Sequence, residues 1–342
     1  MSTRTEATEN ASLLTQLARR PVGKDPLSDV LESLVLHSWI PGPFILGTPW
    51  GLRVSNHLGW FFMLTAGNML IEVTNQEGPL TANAGDLIVV PQGHAHQLRD
   101  RSGSPATPIE TLLKPEHFEQ HQQLVHGGDG ALTFITCGCF IFEDMERSPL
   151  HKTLPPLIQI KGRNEQPLHY VDHLLRLIAQ EAASYNPCAP TVINRLVRIL
   201  LIKTFQDCPP RLPEGNGNWL KALKDPYIGR ALGLMHREPE TPWTVGTLAE
   251  RVAMSRSVFS ARFSELVGKP PLEYLTEWRM RKACVFLRTS QAGLKEVADQ
   301  IGYESAAAFS KAFIRRVGIA PGAYRRLRDT PLIARPSRTP PI

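Results

Sequence analysis

Residues 244–274, TVGTLAERVAMSRSVFSARFSELVGKPPLEY, and residues 293–324, GLKEVADQIGYESAAAFSKAFIRRVGIAPGAY, are two copies of one pattern. Leu248, Ala249, Val252 and Met254 are answered 49 residues later by Val297, Ala298, Ile301 and Tyr303. Phe259, Phe263, Val267, Gly268, Pro271 and Tyr274 are answered 50 residues later by Phe309, Phe313, Val317, Gly318, Pro321 and Tyr324. The offset changes between Met254-Ser255 and Tyr303-Glu304-Ser305, where a turn can absorb one residue.

Each copy reads as helix, tight turn, helix. In the first, Thr244 is placed to cap a helix whose Leu248, Ala249 and Val252 share a face. Ser255 then caps a second helix with Phe259 and Phe263 four apart on one side. Gly268 closes that helix and Pro270-Pro271 prevent its continuation. The second copy repeats this with a turn at Gly302-Tyr303-Glu304, Ser305 as cap, then Phe309 and Phe313. This is the helix-turn-helix arrangement. Between the copies, Leu272 to Arg288 reads as one helix of roughly 25 Å at 1.5 Å per residue. Such a spacer suits two reading helices about one DNA turn, about 34 Å, apart.

Charge agrees with that reading. The chain of 342 residues carries a net +6, but residues 242–330 hold 15 Lys/Arg against 8 Asp/Glu, a net +7. Residues 1–241 hold 21 against 24, a net −3. Localised positive charge suggests a polyanionic partner, because neutralising phosphates releases counterions. A scaffold of two helical hairpins would need neither the duplication nor the basic balance.

At these residues the sequence resembles the AraC/XylS family of bacterial transcription regulators. The resemblance runs from about Asp225 to Arg326, through DPYIGRALGLMH, PWTVGTLAERVAMSRSVFSARFSELVG, PPLEYLTEWRM and VADQIGYESAAAFSKAFIRRVGIAPGAYR. It implies that the second helix of each copy reads bases, at Ser257, Ser260 and Ala261 and then at Ala306, Ala307 and Lys311. A helical wheel reaches nearly the same faces. With Phe259 and Phe263 inward, Ser257, Ala261 and Ser264 point away from the core, and with Phe309 and Phe313 inward the outward line is Ala307, Lys311 and Arg315. Arg256 joins the DNA-binding set at the start of the first reading helix. The short serines and alanines offer less hydrogen-bonding reach than the Arg and Gln often found there.

The remainder of the chain reads differently. From Trp39 to Phe142 short β-type runs alternate with Gly, Pro and Asn, as at residues 59–64, 69–73, 86–90 and 132–136, which predicts a sandwich or small barrel. Leu168–Tyr185 and Thr191–Gln206 have helical spacing and predict a helical pair, packed on the barrel or forming a dimer interface. The expected organisation is α+β in two domains. A mobile N-terminus spans residues 1–24, and a cupin-like β-barrel with flanking helices spans residues 25–207. A Pro/Gly-rich linker covers residues 208–222, an all-α domain with two helix-turn-helix units covers residues 223–330, and a disordered tail covers residues 331–342.

Gly85-Asp86-Leu87-Ile88-Val89-Val90-Pro91-Gln92-Gly93-His94-Ala95-His96 resembles the second motif of cupin barrels. Residues 25–31 and Trp50-Gly51-Leu52-Arg53 resemble the cupin-type sensor domain of one AraC subgroup, with coverage of about residues 25–205. The resemblance implies an effector-binding domain that can also form a homodimer. Candidate effector contacts are His57, Trp60, His94 and His96. Metal-dependent cupins need three or four converging ligands, and only His57 stands where the first cupin motif should be. A metal-dependent cupin enzyme fused to a DNA-binding domain is therefore the alternative, and neither metal nor other cofactor is expected. Cys137-Gly138-Cys139 places two thiols on one strand face, for redox sensing or metal capture or, as the plainer reading, as buried small hydrophobes. The expected partners are a double-stranded DNA operator and an unknown small-molecule effector. No secretory signal and no membrane-spanning run stand in the sequence, which with five scattered cysteines predicts a cytoplasmic protein. The low count of cupin metal ligands, with no phosphate loop and no serine-nucleophile elbow, predicts that it is not an enzyme.

Overall fold

The computed structural model describes residues 25–55, 57–143, 148–150, 153–162, 169–184, 186–207 and 219–326. The expected N-terminal segment 1–24, the linker residues 208–218 and the tail 331–342 lie outside the described residues. Two compact units emerge, one built from the described residues between 34 and 207 and one from residues 219–325 together with the helix Pro26–Ser33.

The strand-rich unit contains β1 (Leu36–Trp39), β2 (Phe44–Gly47), β3 (Gly51–Val54), β4 (Gly59–Ala66), β5 (Asn68–Val73) and β6 (Leu80–Asn83). They are followed by β7 (Leu87–Val90), β8 (His96–Arg99), β9 (Thr107–Pro108), β10 (Leu124–Gly127), β11 (Leu132–Phe142) and β12 (Ile158–Ile160). The strands form two sheets rather than one closed barrel. One sheet runs β10-β2-β11-β4-β7-β12 with β1 added on β11, and the other runs β6-β5-β8-β3-β9. Both are mixed, because β10 lies parallel to β2 and β9 parallel to β3 while the other ladders are antiparallel.

Period-two alternation explains why two sheets suffice. Trp60, Phe62 and Leu64 of β4, Ile88 and Val90 of β7, and Ile135, Cys137 and Cys139 of β11 share one core with Leu52, Val54, Met69, Ile71 and Leu98 of the smaller sheet. The alternate residues Phe61, Met63, Leu87 and Val89 are buried as well. The larger sheet is thus covered on both faces, which is why its strands read as unbroken apolar runs. The predicted helical pair is present as His169–Ala183 and Ala189–Asp207, and the second of these packs on β1 and β12. There the Ser38 hydroxyl donates to Asn194 Oδ1 at 2.7 Å.

The helical unit is built on Phe and Trp anchors. The helix Trp219–Lys224 begins inside the span 208–222 read as linker, so residues 219–222 are helical because Trp219 and Ala222 are buried in this unit. Trp219 is buried, and its indole N–H donates to the Tyr274 hydroxyl at 3.0 Å, a tertiary contact with no local sequence signal. The helix Ile228–Arg237 presents His236, buried face to face on Trp278 with ring centroids 3.7 Å apart. Its Nε2 lies 2.8 Å from the Tyr274 hydroxyl, and Asp29 Oδ2 of the helix Pro26–Ser33 lies 3.4 Å from its Nδ1. Residues 26–33, read from sequence as the start of the sensor domain, are thereby fastened to the DNA-binding unit. No helix among the described residues is long and apolar enough to cross a membrane.

Candidate nucleic-acid interface

The two copies fold alike in their turns and in the caps of their second helices, but only the first copy caps its first helix with a side chain, since Gly293 stands where Thr244 does. Val245–Arg251 is capped by the Thr244 hydroxyl, which accepts from the Thr247 backbone N–H at 3.0 Å. Arg256–Val267 is capped by Ser255 and Ala306–Val317 by Ser305, each accepting from the backbone N–H three residues on. Met254 N–H donates to Ala249 O and Tyr303 N–H to Ala298 O, both at 2.9 Å, so each turn closes by the same six-to-one bond. The added residue of the second copy is Glu304, which lies in the turn. Gly268 and Gly318 end the reading helices in left-handed conformation.

Aromatic cores hold each reading helix in place. Phe259 and Phe263 lie 5.6 Å apart, with Tyr274 edge-on to Phe263 at 5.9 Å. Phe309 and Phe313 lie 5.5 Å apart, with Tyr324 edge-on to Phe313 at 5.5 Å. The four phenylalanines are fully buried, and truncating any one of them would cost about 3–5 kcal/mol. The spacer helix runs Pro271–Thr289, two residues longer than the sequence reading.

On the opposite faces, Arg256, Ser257 and Ala261 are exposed and Ser260 half-buried in the first copy. In the second, Ala307, Lys311 and Arg315 are exposed and Ala306 half-buried. Among the described residues, Arg256, Lys311 and Arg315 take part in no ion pair, which leaves their charge available to phosphates. Arg262, by contrast, is bound to Asp225 through Nε at 2.9 Å, and Arg316 approaches Glu273 and Glu277 at 3.8 and 3.9 Å. Val258, 55% exposed beside Ser257, was missed by the sequence reading. It is an apolar residue off the Phe259–Phe263 stripe, which is the signal by which the sequence could have marked it as surface.

The four effector candidates do not converge. Trp60 lies in the core between the sheets, stacked 5.6 Å from Phe62, and His57 is exposed. His94 lies in the turn before β8, and its carbonyl accepts from His96 Nδ1 at 2.8 Å. His96 is buried, edge-on to Phe62, with Nε2 unpartnered. Desolvation lowers its pKa to about 4, so the ring is neutral with Nε2 as a free acceptor. Its neighbourhood includes a groove of about 220 Å³ across β3, β8 and β5, lined by Arg53, Ser55, Glu72, Thr74, His96 and Gln97. Arg53, Gln97 and Glu72 form one cross-strand row, since Gln97 pairs with both of the others, a pairing of distant strands for which the sequence carries no local signal. Among the described residues no three His, Cys, Asp or Glu side chains gather as a metal-ligand set. Cys137 and Cys139 are buried, and desolvation pushes the Cys139 thiol up to about 12 and the Cys137 thiol well above its ordinary value.

Two capped helix-turn-helix units on one spacer helix, in the basic part of the chain, define a DNA-binding regulator. Residues 25–208 match the family model described as Cupin, and residues 248–327 match that described as Helix-turn-helix domain. A protein of Streptomyces lividans named as an AraC-like transcription regulator is 32% identical over 88% of this chain and 98% of its own. A similarly named protein of Streptomyces antibioticus is 31% identical over 88% and 98%. The transcriptional regulator AlkR of Acinetobacter baylyi is 31% identical over 80% and 94%. The chain belongs to the AraC-like family of transcription regulators, with a cupin domain ahead of its helix-turn-helix units.

Proposed function

We propose that the protein reads a double-stranded operator with both helix-turn-helix units of one chain and adjusts that binding to a small-molecule effector held by its cupin domain. Arg256, Ser257, Ser260 and Ala261 would face one half-site, and Ala306, Ala307, Lys311 and Arg315 the other. The observation that carries this reading is the matched exposure of those faces, opposite Phe259–Phe263 and Phe309–Phe313. Serines and alanines allow close approach to the groove, while Lys311 has the reach for guanine O6 and N7. The flanking arginines serve phosphates.

In the cupin domain the groove beside His96 carries Arg53 and Glu72, the latter paired with Arg99 at 3.2 Å, with the Ser55 and Thr74 hydroxyls. That lining suits a small polar effector. We read this domain as a sensor and not an enzyme, because the relatives it matches are named transcription regulators and no metal-ligand set gathers among the described residues. We read its trigger as a ligand, because buried thiols of raised pKa are slow to oxidise. Leu177, Val192 and Ile199, exposed on the helical pair, favour a homodimer through this domain. A cytoplasmic location accords with DNA as the partner.

Selection of preferred duplexes from random DNA by the full chain, followed by anisotropy titration, tests the reading. The expected result is a site with two conserved blocks and an affinity that falls with salt at a log–log slope of about −0.9 per phosphate neutralised. A single conserved block, or affinity indifferent to salt, would overturn it.

A further inference from the structure

The most telling side chain outside the reading helices is Arg279, half-buried at the middle of the spacer helix. Its Nε donates to the Pro239 carbonyl at 2.7 Å, and a terminal nitrogen donates to the Thr241 carbonyl at 2.8 Å. Those carbonyls belong to the loop leading into the first helix-turn-helix unit. That loop is fixed to the unit it precedes, because the Trp243 indole donates to Glu238 O at 2.9 Å and Arg251 lies over the Trp243 ring at 5.9 Å.

The same guanidinium lies 6.0 Å from the ring centroid of Tyr303, in the turn of the second unit. Tyr303 in turn packs edge-on to Phe309, the core anchor of the second reading helix, at 6.2 Å. The two segments are in direct apposition. A Cβ on Gly302 would come within 2.6 Å of the Glu240 carbonyl oxygen and 2.7 Å of the Arg279 guanidinium. A chain of contacts therefore runs from the first unit's lead-in loop through Arg279 to Tyr303 and Phe309.

We propose that Arg279 is a positioning residue that locks the second reading helix to the first, so that the protein measures the separation of its two half-sites. A straight helix fixes the distance between two attached units, but it leaves the angle of each about its axis to side-chain packing. Arg279 removes that freedom. Its planar fork engages two carbonyls of one unit while its face lies over an aromatic ring of the other, a geometry that lysine cannot reproduce. The inference rests on the two-helix reading of the operator.

The test uses the full chain and a duplex selected by the wild type. A second duplex carries one base pair inserted between the conserved blocks, and a third holds one block only. Wild type should prefer the uninterrupted duplex to the inserted one by about tenfold or more, the scale of a coupling near 1.4 kcal/mol. In Arg279→Gln that preference should shrink severalfold while affinity for the single block stays within about twofold. An unchanged preference in Arg279→Gln overturns the role of Arg279 alone. Indifference of the wild type to the insertion overturns instead the two-helix reading. Should Arg279→Gln lose single-block binding through misfolding, Tyr303→Leu decides. It keeps both carbonyl bonds and removes the ring, and it must also narrow the preference. A Tyr303→Leu protein with wild-type preference would then reject the proposal.

Discussion

Ala253 and Gly302 occupy the same step of the two turns, 49 residues apart, and both hold left-handed backbone, with φ of 56° and 78°. The shared conformation has opposite consequences for substitution. Ala253 is exposed and bears the steric cost of a Cβ at positive φ, about 1 kcal/mol. Ala253→Gly relieves that cost while loosening the unfolded chain, and the expected balance is neutral to about 0.5 kcal/mol more stable. Gly302→Ala adds both the strain and a clash with the Glu240 carbonyl, and should cost at least about 2 kcal/mol. Calorimetric unfolding of the full chain checks the pair, and equal effects of the two substitutions would contradict the assignment.

Lys311 is exposed opposite the Phe309–Phe313 stripe, free of any ion pair with a described residue. If it reads a base, Lys311→Ala should cost about 1–3 kcal/mol on the preferred duplex and relax selection at one base pair. A phosphate contact would instead weaken all duplexes alike and make the salt slope shallower by about one. Site selection with both proteins distinguishes the two, and unchanged preferences at every position would assign Lys311 to phosphate.

His96 makes stability depend on pH. Its folded pKa of about 4 lies below the ordinary 6.5, so between those values the unfolded chain binds a proton that the folded chain refuses. The contribution is intact above pH 6.5 and is lost as pH falls toward 4. Between pH 7 and pH 5 the loss should be about 2 kcal/mol. Buried His236, its pKa also lowered by desolvation, adds to the loss in the helical unit. Urea unfolding at the two pH values should show a smaller acid loss in His96→Leu than in wild type.

Among the four described cysteines only Cys188 is exposed. A thiol reagent applied to the native chain should label Cys188 while sparing Cys137, Cys139 and Cys284, as peptide mass mapping would report. Labelling of Cys137 or Cys139 as fast as Cys188 would reopen the redox reading of the cupin domain, because buried thiols with raised pKa hold little thiolate.

The duplicated helix-turn-helix units were legible in the sequence because their determinants are local. Thr244, Ser255 and Ser305 cap helices through bonds spanning three residues, and Phe259–Phe263 and Phe309–Phe313 lie one helical turn apart. Short apolar runs between turn residues likewise marked strands of the N-terminal half. What closes them into two sheets is ladder pairing between distant strands, such as β4 with β11, which no local pattern encodes. The same limit applies to function. His57 is exposed while Trp60 and His96 are both buried against Phe62, and Arg53, Glu72 and Gln97 meet only because β3, β8 and β5 are neighbours. Asp29 reaches His236 across more than two hundred residues, and Arg279 meets Pro239, Thr241 and Tyr303 only once both units have packed on the spacer helix. Capping and periodicity act over one or two turns of chain, so the sequence alone determined the elements and their chemistry. Desolvation, ring stacking and hydrogen bonds between distant segments exist only in the folded chain, so the tertiary structure alone decided which residues stand together.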